Sequence, residues 1–570
     1  MSRFNLVDEP WISVIAERTG GTEEVSLKTL FENARHYQRI AGDTATQDFA
    51  VLRVLLAVLH TVFSRVDAEG KPYEGLTLDE RFRQMSIIED EDELEDYGEA
   101  LFRTWRELWQ AGEFPGAVGD YLEKWHDRFD LLDDTYPFFQ VTEADMAPEK
   151  ISKSTPSTFS GKNINRLISE SDNKIALFSP KTADEKGILT PQECARWLIT
   201  FQGYTGLSDK VIFGKEKYKA SKGWLFDIGG IFIEGRNLFE TLMLNFLLPH
   251  TEEAYQATPQ TPCWEYSGDE IIQRAFSGRD HDNLAGLYTN WSRAVFIDPD
   301  MDFAAPFACS IVKLPDIRHE NNFLEPMTIW QYNSRGPLKD TFTPRKHRVN
   351  QAIWRSFGLL SLPNAYRGEN QRQPGIIEWL NKIAPIAGSY DVTLRAVSME
   401  DDGNATSWVP VDEITDAMRI NDLVLTDIRE NGWAPRISDT IEETKAAVEG
   451  TYRRLLRGIG EIRNVNSTLF VDEEVERLYY QIDRPFNQWL SELRAGDSMD
   501  DRIFAWRGIL KRIILQQAER LIENAGPRDY TGIVADNKVK NIATVYNSFI
   551  YFLNQQIKLK EEAHGEDTAG

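Results

Sequence analysis

Apolar and polar positions change their rhythm near residue 410. Beyond it, apolar residues recur every three or four positions in four long stretches, the pattern of helices packed side by side through one face. The first stripe is Ile441, Val448, Tyr452, Leu455 and Ile459, with Asp439 and Glu442 spaced as an N-terminal cap. The second is Val475, Leu478, Ile482, Phe486, Trp489 and Leu493, where Pro485 predicts a kink or break because its ring removes a backbone hydrogen bond. The third is Ile503, Trp506, Leu510, Ile513 and Leu521, and the fourth Ile542, Val545, Phe549, Phe552 and Gln556. Before residue 410 the runs are shorter and more mixed. Segments 211–214 and 224–228 look strand-like, 238–248 looks helical, and the apolar run 49–63 carries Arg53 and His60. That run is too short for a bilayer span and predicts a buried helix. The expected fold is α+β: a large irregular mixed α/β N-terminal domain, 1–410, followed by a C-terminal four-helix bundle, 411–570. The polar end from 561 is expected to fray.

Length supports the division, since 570 residues exceed what one hydrophobic core serves. A hydrophobic fraction of 41% with 15 Trp and 30 Phe argues for a folded chain. The start, Met1-Ser2-Arg3-Phe4, lacks a charged segment followed by an apolar one, so a cytoplasmic protein without membrane contact is expected. Cys194, Cys263 and Cys309 are far apart and lack metal-ligand spacing, which predicts neither disulfides nor a metal site, and no cofactor motif is present. The net charge of −26 opposes contact with phosphates unless basic residues cluster locally. Part of the acid lies in the run 89–96, read as a solvated face because consecutive carboxylates do not converge on one ion.

The chain offers little recognisable catalytic chemistry. Segment 230–237 has the glycine spacing of a phosphate loop but lacks its Lys and Ser/Thr, and is read as a turn. His281-Asp282 finds no further ligands in sequence. The exception to the acidic background is 210–222, where Lys210, Lys215, Lys217, Lys219 and Lys222 face a single acid, Glu216, among glycines and aromatic residues. Such a loop suits phosphate contact, and equally suits a solvated surface. A second basic cluster is Arg345-Lys346-His347-Arg348.

The opening Phe4-Asn5-Leu6-Val7-Asp8-Glu9-Pro10-Trp11-Ile12 resembles the start of the CasA family, the large subunit of the type I-E CRISPR surveillance complex, Cascade. Further similar strings follow in the family's order: Phe129-Asp130-Leu131 with 136–141, Phe201-Gln202-Gly203-Tyr204, Pro262-Cys263-Trp264-Glu265, and Tyr288-Thr289-Asn290-Trp291-Ser292-Arg293. The resemblance implies a non-enzymatic subunit that recognises a short protospacer-adjacent motif in double-stranded DNA, helps open the duplex, and presents the site to a helicase-nuclease for antiviral defence. A CRISPR guide RNA reads the remaining sequence by base pairing. Implied partners are the other Cascade subunits, the guide RNA, target DNA and the helicase-nuclease.

Carried over by position, the family's glycine loop falls at 206–210, giving Gly206, Ser208, Asp209 and Lys210 as DNA contacts beside Lys215, Lys217 and Lys219. The motif-reading lysine falls at Lys313. The wedge turn falls at 402–406 with Asn404 at its tip, where the family often has Gln. A loop near the guide-RNA end falls at 174–187, with Ala176, Leu177, Phe178 and Ser179 in contact. The bundle, with Trp489, Trp506 and Tyr546, is expected to dock on neighbouring subunits. The alternatives are a scaffold that touches only protein and guide RNA, and a metal-dependent hydrolase.

Overall fold

The computed structural model describes residues 4–165, 181–182, 184–207, 209–278, 281–388, 390–404, 410–465, 468–535 and 537–559. Ser208 and the contact residues Ala176, Leu177, Phe178 and Ser179 lie outside them. The fold is mixed α/β with a C-terminal helical region. Two compact units are present: Met1–His347 with Asn370–Ala387 and Leu394–Asp416, and Arg348–Glu369 with Gly388–Thr393 and Ala417–Gly570. Where the sequence reading places one boundary at 410/411, the second unit thus also draws in two earlier segments.

The first unit is organised around the helix Ala45–Phe63, buried along nearly its whole length. Thr44 caps it by accepting from the Gln47 amide, and the Glu413 carboxylate accepts from the Ala45 and Thr46 amides, placing negative charge at the positive end of the helix dipole. Arg53 is tolerated inside because Glu325 takes it bidentately at 2.7 and 2.8 Å, with the Trp224 indole donating to the same carboxylate. Strands of three small sheets belong to this unit. One joins Ile12–Ala16 to Thr22–Val25 and Tyr37–Ile40, and one pairs Gly230–Glu234 and Pro410–Asn421 with Asp391–Asp401 between them. The third places Ala308–Lys313 between Ser157–Ser160 and Arg293–Phe296, with Arg293 opposite Lys313.

Several local expectations are corrected. Trp224–Asp227 is a 3-10 turn, and the strand is Gly230–Glu234, inside the segment read as a turn. The glycines explain the exchange: a Cβ on Gly229 would sit 2.0 Å from the Arg345 carbonyl oxygen, and one on Gly230 2.8 Å from that of Val397. Only bare backbone pairs that closely. Segment 211–214 makes isolated bridges, Ile212 to Lys313 and Phe213 to Ile151, instead of a strand. The helix expected over 238–248 is Leu238–Leu244. Beyond it, the Asn245 amide donates to the carbonyls of Ile233 and Thr241.

In the second unit the four long helices are present. The first runs from Trp433 to Arg463 through a π-helical stretch, Ala446–Tyr452, so it begins well before Asp439, whose carboxylate pairs with Arg367 instead of capping. Thr468–Ser491 continues unbroken through Pro485. Around this point Phe486 stacks on Trp354 at 4.3 Å and meets Trp506 edge-on at 4.9 Å, so packing holds the helix where one backbone bond is missing. In Met499–Glu523 the buried position is Ile514, not Ile513; in Ile542–Gln556 it is Leu553, while Phe552 is 40% exposed. Trp489 and Trp506 are buried in the unit's own core.

Candidate nucleic-acid interface

The strings that carry the family resemblance converge in the first unit. Gln202, near the end of the helix Pro191–Tyr204, accepts from the amides of Ser292 and Arg293 and donates to the Arg293 carbonyl at 2.9 Å. Two segments some ninety residues apart are thereby joined. At the same place Gly223, with φ of +89°, lies against Gly203, and a Cβ there would meet the Gly203 carbonyl oxygen at 2.3 Å. The segment entering at 205 and leaving at 223 is therefore closed at its base by two backbones in contact.

Arg293 fills that base. Its side chain is fully buried, and it donates to Gly206 and Ser221 carbonyls at 2.6 Å each, to its neighbour Ser292, and to both oxygens of Asp209 at 3.0 and 3.1 Å. One guanidinium thus fixes both ends of the segment, in the fork geometry that only Arg supplies. Lys313, opposite Arg293 in the sheet, donates from Nζ to the Leu207 carbonyl at 3.0 Å, with Asp209 3.9 Å away. Burial pushes its pKa below the ordinary lysine range, with Asp209 opposing and Arg293 adding to the fall. Of the residues expected at DNA, Gly206, Asp209 and Lys313 thus hold the loop's shape from within. Asp209 has a side chain only 7% exposed.

The lysine segment then folds along the strand edge. Tyr218 donates to the Lys313 carbonyl at 2.6 Å and accepts from the Phe213 amide, and Ser221 N–H donates to Leu314. Its lysines divide into two sets. Lys219 pairs with Asp316 at 2.5 Å and Lys222 with Asp227 at 2.7 Å. Lys210, Lys215 and Lys217 are exposed, and no ion pair holds them among the described residues.

Beside this segment lies the hairpin turn after Asp391–Asp401. Gly403 takes φ of +67°, its amide donating to Asp401 and that of Asn404 to Asp402, and Asn404 is exposed. The hairpin and the lysine segment share a seam. Lys346 pairs with Asp401 at 2.9 Å, and Lys346 and Lys222 both stand over the Phe226 ring, at 4.4 and 5.1 Å. Burial pushes the Asp401 carboxyl up, but the bond to Lys346 and its charge outweigh this, so the group stays below the usual carboxylate range. Lys346 belongs to the second basic cluster; its neighbour His347 is half-buried, bonding the Gly230 carbonyl at 2.8 Å. Nothing in the sequence marks Arg293 as functional beyond the Trp-Ser-Arg string that carries the resemblance, whereas Lys346 of the seam lies in the second basic cluster.

His281 meets Asn290 at 3.0 Å, and among the described residues no group of three or more His, Cys, Asp or Glu side chains could hold a metal ion. The three cysteines are free and buried.

Residues 5–517 match the family described as CRISPR-associated protein Cse1. A CRISPR-associated protein CasA/Cse1 of Thermus thermophilus is 29% identical over 270 residues, covering 46% of this chain and 42% of the relative, so that match spans less than half of either protein. Among solved structures, Cse1 of Thermobifida fusca superposes with a TM-score of 0.75 at 24% identity over 97% of this chain and 98% of that one. A chain of a CRISPR RNA-guided surveillance complex superposes with a TM-score of 0.67 at 18% identity, over 97% and 100% respectively. These likenesses are of fold.

Proposed function

The chain belongs to the CRISPR-associated Cse1 family, and from that we propose that it is the large subunit of a type I-E RNA-guided surveillance complex. In this reading it works in the cytoplasm with the other Cascade subunits and a CRISPR guide RNA. It recognises a protospacer-adjacent motif in double-stranded DNA, opens the duplex beside it and helps recruit a helicase-nuclease, acting by binding and not by catalysis. The observation that carries the proposal is the segment 205–223, whose two ends the buried Arg293 ties together while Lys210, Lys215 and Lys217 remain exposed.

The division of labour follows from that geometry. Unpaired lysines attract phosphates without reading bases, and each phosphate contact steepens the salt dependence. Sequence must be read by groups of fixed position, which the 206–210 loop provides through its buried anchors. The minor groove offers a degenerate hydrogen-bond pattern, so a reader placed there tolerates several motifs. In this reading the exposed Asn404 enters beneath the motif, where separating a base step costs a few kcal/mol. It is one methylene shorter than Gln and reaches less far.

The test is binding of the complex, reconstituted with and without this chain, to duplexes that differ only in the flanking motif, over a salt series. Motif dependence that requires the chain supports the reading. Unchanged binding without it replaces the reading with a scaffold role.

A further inference from the structure

The stretch 150–165 contains no acidic residue, in a chain that carries 90 of them. It runs directly beside the lysine segment. Ser152 N–H donates to the Ile212 carbonyl and Gly214 N–H to that of Lys150, each at 2.8 Å, around the antiparallel bridge of Ile151 to Phe213. The Ser152 hydroxyl accepts from Ile212 N–H at 3.1 Å and closes this short ribbon. Ile151 and Phe213 are buried, so the ribbon is seated on the core. Farther along, Ser157–Ser160 pairs with Ala308–Lys313, the strand that ends in Lys313. The intervening Lys153-Ser154-Thr155-Pro156 is therefore held at both ends. Pro156 fixes its own φ and keeps Thr155 extended, which limits the conformations left to the stretch.

The side chains of this stretch face solvent. Lys153, Ser154 and Thr155 are exposed, and Lys153 is in no ion pair among the described residues. Lys150 differs, since it stands 3.6 Å from Asp269 and 3.9 Å from Asp145, which compensate it. The antiparallel arrangement puts Lys153 and Lys210 at one end of the ribbon, and Lys215 and Lys217 at the other. Glu149 and Glu216 fall at the second end. At the first, the nearest acid along either strand is Asp209, which is buried against Arg293. The two ends are three residues apart, about 10 Å at 3.3 Å per residue. Duplex DNA carries one phosphate per roughly 1.7 Å of its axis, so one duplex lying on the ribbon meets both ends.

We propose that Lys153, with the hydroxyls of Ser154 and Thr155, is a further phosphate-binding site for the DNA duplex. The inference rests on the nucleic-acid reading above and deepens it. The ammonium supplies charge and the hydroxyls donate to phosphate oxygens, contacts that orient a duplex without reading its bases. With Lys210 they form one end of a strip whose other end is Lys215 and Lys217, and the duplex is held across the 206–210 loop from both.

The experiment uses the complex assembled with the full-length chain. Duplexes with and without the motif are titrated over a salt series for wild type, Lys153→Gln, Lys153→Arg, and Ser154→Ala with Thr155→Ala. Lys153→Gln is expected to reduce the slope of log affinity against log salt by about one and to weaken binding roughly fivefold at 0.15 M salt, by the same factor for both duplexes. Lys153→Arg restores both. Loss of the two hydroxyls weakens binding about threefold and leaves the slope in place. Lys153 is exposed, so its replacement does not move the melting temperature. An unchanged slope in Lys153→Gln overturns the proposal; where it comes with weaker retention of the guide RNA, the stretch serves RNA in place of DNA. Failure of the broader reading looks different, since motif-dependent duplex binding is then missing from the wild-type complex itself.

Discussion

Asp209→Asn tests how the loop is held. The substitution keeps the side chain's shape but removes the negative charge that meets Arg293 at 3.0 and 3.1 Å, inside a site where the guanidinium has no exposure. The carbonyls of Gly206, Ser221 and Ser292 still accept from it, so hydrogen bonding survives while charge compensation is lost. Breaking a buried pair by one partner costs roughly 3–5 kcal/mol, and the remaining carbonyls place this case near the lower figure, about 3 kcal/mol. For a unit of roughly 390 residues, with about 2.1 cal/mol/K of unfolding entropy per residue, that is a fall of about 4 °C in Tm. Because the loss is local, hydrogen exchange should quicken first in the amides of 205–223, including Ser221 N–H, which bonds Leu314. In the assembled complex, affinity for random duplex should stay the same while discrimination between motifs falls. The clamp argument is refuted if Tm moves by less than about 1 °C and exchange across 205–223 is unchanged.

Three further outcomes are expected. Charge reversal of the exposed Lys215 and Lys217 should leave stability within about 0.5 kcal/mol and reduce the slope of log affinity against log salt by about two in DNA titrations. Asn404→Ala should lower strand opening, followed by 2-aminopurine fluorescence beside the motif, more than initial duplex binding; equal losses would remove the wedge role. The third concerns acid. Burial, with His250 as a lesser cause for His60, lowers the pKa of His60 to about 3, and burial lowers that of His250 to about 4, so from about pH 6.5 downward the unfolded chain takes protons that the folded one refuses. Each histidine then costs about 2 kcal/mol between pH 7 and pH 5. Asp48 runs the other way: burial pushes its carboxyl up to about 7, so the folded chain gains a proton over the same interval and recovers about 2 kcal/mol. Asp48→Asn should therefore deepen the acid loss from about 2 to about 4 kcal/mol in denaturant titrations at the two pH values; an unchanged loss would show that these groups are not shielded as described.

The periodic half of the chain was legible because an amphipathic helix writes its buried face locally, three and four residues apart. Errors there were of phase, Ile514 for Ile513 and Leu553 for Phe552, since which of two adjacent apolar residues turns inward depends on the neighbouring helix. The buried helix Ala45–Phe63 and the hairpin turn at Gly403 were equally readable, from an unbroken apolar run and from turn chemistry. By contrast, Asp209, Lys313 and Arg293 have the residue types of a surface contact and nothing local to show that they face each other. Gly206 gives no sign that its carbonyl is already taken. Lys219 and Lys222 look like Lys215 and Lys217 in sequence, yet Asp316 and Asp227 occupy the first pair alone. Residue type and spacing thus determined which elements form, which family the chain resembles and where positive charge concentrates. Only the tertiary structure decided which charges are spent on holding the loop and which remain for a partner, because a charge's effect depends on its burial and on what lies within a few ångströms, often ninety residues away along the chain.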